Sequence, residues 1–146
     1  MNIATSVVLT FGLLQLFSFS ANACSCVDRA PDKLFADATS IFVAQVTKAK
    51  LKPGDGGLDN AGQHYVEAQY RLIESLKGNP RPKGVIFDAD YQAGNCSVGL
   101  RVGVAYLFLL YGDRHITICG GTQPAYKSKL LKEIRQVKEA SEDDVT

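Results

Sequence analysis

Two cysteines one residue apart, Cys24 and Cys26, stand directly after a stretch, residues 1–23, that holds no Asp, Glu, Lys or Arg. No other feature restricts the fold as strongly, because the first residues after an uncharged leader must reach two partners far along the chain, Cys96 and Cys119. The apolar run from Val7 to Phe19 is too short and too interrupted by polar residues for a membrane span. It ends in Ala21-Asn22-Ala23, the small-x-small pattern that a signal peptidase cuts after. The expected mature chain therefore begins at Cys24 and is exported, to the periplasm or the extracellular space. An even cysteine count in such a chain reads as two disulfides. Of the three possible connectivities, a Cys24–Cys26 bridge is the least favoured, since extended backbone across one intervening residue exceeds the preferred Cα separation. Both remaining arrangements tie the N-terminus to distant points, and closing loops of that length is worth on the order of 4 kcal/mol per bridge in the chain-entropy model.

The chain beyond the leader is sized for one domain. Its formal charge is +1, and the leader contributes none of it. There is no basic stripe for nucleic acid and no acidic channel. Pro31, Leu34, Phe35 and Ala38 have helical spacing and predict a short helix within 28–38, with Pro31 in its first turn. Ile41 to Lys50 reads as a largely buried strand, and Pro53-Gly54-Asp55-Gly56-Gly57 interrupts any regular element. From Gln63 to Leu76 the pattern alternates, placing Val66, Ala68, Tyr70 and Leu72 on one face and Glu67, Gln69 and Arg71 on the other. The tract up to Gly62 is then a long hairpin tip. A third strand runs from Val85 to about Asp90, an irregular loop over 92–99 carries Cys96, and Val102 to Tyr111 is a fourth strand. Gly112-Asp113-Arg114 is expected to turn that strand back into His115–Cys119 as a second hairpin. Leu130, Leu131, Ile134 and Val137 give a C-terminal helix over 127–140. The domain is assigned to 24–141 and an acidic tail to 142–146. The expected fold is mainly β, a five-stranded Greek-key barrel of the OB type with a short N-terminal and a longer C-terminal helix.

Conventional catalysis has little to draw on. His64 and His115 have no neighbouring nucleophile and alternate with strand residues. Cys24-Ser25-Cys26 lacks the two-residue spacing of a redox pair, and Asp55 to Asn60 lacks the alternating spacing of a calcium loop. No cofactor motif is present, and the chain is not expected to be an enzyme.

The Cys-x-Cys at the mature start, the Cys96 loop after the third strand and His115-Ile116-Thr117-Ile118-Cys119 together resemble the N-terminal domain of the tissue inhibitors of metalloproteinases (TIMPs), within the netrin-like group. The resemblance runs from Cys24 to about Ile134. Three departures stand out: Ala36 occupies a position where the family has a further cysteine, a basic helix and acidic tail stand where the family has a disulfide-rich C-terminal subdomain, and Gly94-Asn95 replaces its usual small apolar approach to Cys96. The resemblance implies bridges Cys24–Cys96 and Cys26–Cys119 and the five-stranded OB-type barrel. It also implies a monomeric inhibitor whose partner is a zinc metalloendopeptidase. A catalytic zinc keeps one coordination position open, and the α-amino group and carbonyl oxygen of mature Cys24 would close a chelate on it. Ser25 would enter the pocket beside that zinc, next to Cys26, and the loop of Asn95, Cys96 and Ser97 would flank the cleft. The alternative is a non-inhibitory extracytoplasmic netrin-type binding module, because a stapled N-terminus also serves a small barrel against fraying. Lipid attachment at Cys24 is disfavoured by Ala21, where a lipoprotein signal prefers Leu.

Overall fold

The computed structural model describes residues 24–54, 64–90, 96–126 and 128–143. Helix α1 (Pro31–Asp37) lies within the expected span and opens on Pro31, the first of its spaced apolar residues. Pro31 also sets the helix start: a residue before proline is pushed out of the helical region, and Ala30 is extended at φ −63°, ψ 147°. Strands β1 (Ser40–Pro53), β2 (His64–Lys77) and β3 (Lys83–Ala89) form an antiparallel meander. Strand β4 (Ala105–Leu110) pairs antiparallel with the other side of β1.

The chain then departs from the expected second hairpin. Strand β5 (His115–Ile116) does not return alongside β4; it pairs parallel with β3, Phe87 opposite His115 and Asp88 opposite Ile116. Residues Ile118–Gly120 form a 3₁₀ turn, and a further strand, β6 (Gln123–Pro124), pairs with the outer edge of β4. The sheet is therefore six-stranded, in the order β5-β3-β2-β1-β4-β6, rather than five-stranded. It curls into an OB-like half-barrel, and the connectivity shows why it must. Four strand spacings separate β4 from β5, about 19 Å in a flat sheet, whereas the link through 111–114 reaches at most about 18 Å. Register shifts in the β1–β2 ladder at Ile41/Phe42, Val43/Ala44 and Val46/Lys48 supply local bending.

The apolar start of β1 serves two cores, which is why it does not alternate. Ile41 and Val43 join Leu34, Leu76, Leu107, Leu109, Leu131 and Ile134 on the face covered by the helices. Phe42, Ala44 and Val46 join Ala68, Tyr70, Ile86, Tyr106, Phe108 and Ile116 in the barrel interior. Strands buried on both faces read as continuous apolar runs. Helix α2 (Lys129–Asp143) buries Leu131 and Ile134 and holds β2 through Arg135, whose guanidinium donates to both Glu74 carboxylate oxygens at 2.6 and 3.1 Å. It starts at Lys129 because the Ser128 hydroxyl accepts from the Leu131 N–H at 3.0 Å, an N-cap bond. It continues to Asp143, beyond the expected end at residue 140.

Candidate functional site

The extended segment from Cys24 to Ala30 precedes α1 and has no ladder of its own, so side chains must hold it. Cys24 is bonded to Cys96 and Cys26 to Cys119, with Cα separations of 5.5 and 5.0 Å. The two bridges pack on each other: the Cys119 sulfur lies 3.6 Å from that of Cys24 and 3.7 Å from that of Cys96. The sulfurs of Cys24, Cys26 and Cys119 lie within 4.8 Å of one another. Each is already in a disulfide, so none is the thiolate that a metal would need.

Two supports behind the bridges are invisible to motif reading. The first is Arg29, whose guanidinium donates to the Cys119 carbonyl at 3.1 Å, approaches the Asp37 carboxylate at 3.9 Å and stacks over the Tyr111 ring at 5.2 Å. The Tyr111 hydroxyl donates in turn to the Gly120 carbonyl at 2.7 Å. The 3₁₀ turn that carries Cys119 is capped by Thr117, whose hydroxyl accepts from the Gly120 N–H at 3.0 Å, and ends at Gly121 with φ +90°. A left-handed residue at this point favours glycine.

The second support is Asp88, fully buried at the end of β3. Its carboxylate accepts from the Ser97 hydroxyl at 3.1 Å and from the N–H groups of Val98 and Gly99 at 3.0 Å each. Burial pushes this carboxyl above its usual range, against the opposing pull of those donors. The loop after Cys96 is thus folded around one buried acid. The Ile118 N–H donates to the Cys96 carbonyl at 3.0 Å, which fastens the loop to the 3₁₀ turn.

Cys24, Ser25, Cys26, Cys96 and Ser97 are brought together at this edge. Asn95 lies outside the described residues, as do residues 55–63 of the hairpin tip. Ser97 turns its hydroxyl inward to Asp88, so its part is to shape the loop. Ser25 and Cys26 are exposed, and Val27 is 85% and Ile118 43% exposed. The result is a rigidly backed ridge with an apolar margin. His115 sits elsewhere, on β5 against Asp113 and the Phe87 ring, and His64 opens β2.

No family model matches the chain. It is 31% identical over 126 residues to metalloproteinase inhibitor 2 of Canis lupus familiaris, covering 80% of this chain and 56% of that one. The corresponding proteins of Rattus norvegicus and Cavia porcellus are each 32% identical over the same coverage. These matches support a family relationship with the TIMPs.

It spans little more than half the length of these curated relatives. The TIMP relatives are by name inhibitors rather than enzymes, which fits the lack of a catalytic constellation in the sequence. Two disulfides suit an oxidising, extracytoplasmic compartment. No helix among the described residues is long and apolar enough to cross a membrane. The cysteines mark the TIMP-like edge in sequence; Arg29, Asp88 and Thr117 carry no motif, and an acid closing an apolar strand is the one faint signal for Asp88.

Proposed function

We propose that this chain, once cut after Ala23, inhibits a zinc metalloendopeptidase by placing the α-amino nitrogen and carbonyl oxygen of Cys24 on the enzyme's catalytic zinc. The observation that carries this reading is the ridge of half-buried Cys24 and exposed Ser25, Cys26 and Val27, held from behind by two stacked disulfides and Arg29. A pre-ordered binding segment loses little conformational freedom on association. A zinc site with an open position accepts such an N,O pair as a five-membered chelate. Ser25 then faces the enzyme's substrate pocket, and Val27 and Ile118 supply apolar contact beside it.

The test is inhibition of a panel of zinc endopeptidases by the protein beginning at Cys24, by the same protein with one alanine added before Cys24, and by its N-acetylated form. The native N-terminus should inhibit, and the two blocked forms should lose most of that inhibition while keeping fold and bridges. Because a free α-amino group titrates near ~7.7–8.0 and zinc must displace its proton, inhibition should weaken as pH falls below neutrality. Equal inhibition by the blocked forms would refute chelation and leave the ridge as a plain protein-docking surface. Inhibition of no member of the panel would favour a non-inhibitory binding module.

A further inference from the structure

At the other end of β3 from Asp88, a cavity of about 390 Å³ opens into the barrel between the β2–β3 turn and the ends of β1 and β4. It shares no residue with the cysteine edge. Its floor is Tyr70, its apolar walls include Pro80, Val85 and Leu110, and Arg81 and Arg114 stand at its mouth. Tyr70 is 7% exposed, with its ring packed on Phe42 at 5.1 Å. Among the described residues its hydroxyl has no hydrogen-bond partner, although a buried phenol normally finds one.

The neighbouring backbone is shaped to admit that hydroxyl. A Cβ on Gly84 would lie 2.5 Å from the Tyr70 oxygen and 2.7 Å from Cζ, so only glycine lets the phenol end reach this position. The arginines are also left open: among the described residues neither Arg81 nor Arg114 has a carboxylate partner, and Arg114 rests over the Phe87 ring at 4.8 Å. Two guanidiniums with no carboxylate partner among the described residues, beside a buried phenol, form a donor set that a carboxylate completes. Burial raises the Tyr70 pKa above its ordinary value while Arg81 opposes the rise, so the phenol is a protonated donor at neutral pH.

We infer that this cavity binds a small amphipathic carboxylate, its anionic head between Arg81 and Arg114, hydrogen-bonded by the Tyr70 hydroxyl, and its apolar body against Val85 and Leu110. The volume is that of a small-molecule site. The lining is mixed, and Pro80, Val85, Ile86 and Leu110 beside the two arginines favour a carboxylate with a short hydrocarbon or aromatic body over a bare inorganic anion.

The experiment is an NMR titration of the full mature protein with hexanoate, benzoate, hexanol and inorganic phosphate, repeated on Tyr70→Phe and Arg81→Gln. Hexanoate and benzoate should shift amide resonances around Tyr70, Arg81, Gly84 and Arg114 with saturable binding, whereas hexanol at equal concentration should not. Arg81→Gln should weaken hexanoate binding at least tenfold. Tyr70→Phe should weaken it comparably without lowering the thermal midpoint, because the hydroxyl it removes has no hydrogen-bond partner among the described residues. That pairing separates a ligand role from a structural one. Absence of saturable shifts with either carboxylate, equal response to hexanol, tighter binding of phosphate than of hexanoate, or unchanged affinity in Tyr70→Phe would each overturn the assignment.

Discussion

Among single residues, Asp88 is the one whose loss should reach the proposed inhibitory edge from inside the protein. Three donors converge on its carboxylate, and all belong to the loop that carries Cys96. Asp88→Ala leaves those donors in a buried site, at a cost of about 1–3 kcal/mol in unfolding free energy, measurable by urea denaturation at neutral pH. The pH dependence has a defined sign. Burial raises this carboxyl above its unfolded value of 3.8, so the folded state binds the proton more tightly than the unfolded chain does. That contribution is full below pH 3.8 and is lost as pH rises through the folded-state value. The stability difference between the native chain and Asp88→Ala should therefore widen as pH falls from neutrality toward 3.8. A difference that shrinks instead would mean that the three donors outweigh desolvation. Arg29 works by a different route, as a clasp between Cys119, Asp37 and the Tyr111 ring. No motif marks either residue, because each acquires its role only when segments far apart in sequence meet.

For the elements, period-two alternation in β2 separates inward from outward residues, and substitution checks it directly. Ala68 is fully buried in the barrel interior, while Gln69 is exposed on the other face. Ala68→Asp places an unpaired carboxylate among apolar side chains and should cost several kcal/mol out of a total of about 5–15. Gln69→Asp should stay within about 0.5 kcal/mol. Urea denaturation of both variants is the measurement, and equal losses would reverse the faces. The long strands are legible in the sequence because their patterns extend over many residues: the alternation of β2 and the unbroken apolar start of β1 both mark their burial. The short elements are not. Two-residue strands such as His115–Ile116 and Gln123–Pro124 contain no period at all. The partner of β5 is set by the curl of the whole sheet, so the Gly112-Asp113-Arg114 turn, which locally reads as a hairpin, leads across the barrel to β3 instead. The start of α1 is legible for a local reason, since Pro31 both opens its apolar spacing and holds Ala30 outside the helix. Of the candidate site, the cysteines are legible in sequence, whereas the buried acid and the arginine clasp depend on tertiary contacts.

For the molecule as a whole, the curled sheet brings the Cys96 loop and the 3₁₀ turn of Cys119 side by side, and the N-terminal segment is stapled across both. The bridges span sequence separations of 72 and 93 residues, so removing either should cost about 4–5 kcal/mol in the chain-entropy model. Their proposed functional weights differ. The bridge at Cys24 constrains the residue that presents the chelating amine, whereas the bridge at Cys26 acts two residues further along. Cys24→Ser with Cys96→Ser keeps the amine and the carbonyl but lets them move, and binding must then restore the lost order. Inhibition by this variant should fall at least tenfold beyond what its folded fraction explains. Cys26→Ser with Cys119→Ser should lose a similar amount of stability and less inhibition, because Cys96 still holds Cys24. The comparison needs inhibition constants and denaturation curves on the same preparations, so that each constant is corrected for unfolded protein. Equal corrected losses for the two double variants would show that the bridges act through stability alone and that no special ordering of Cys24 underlies inhibition.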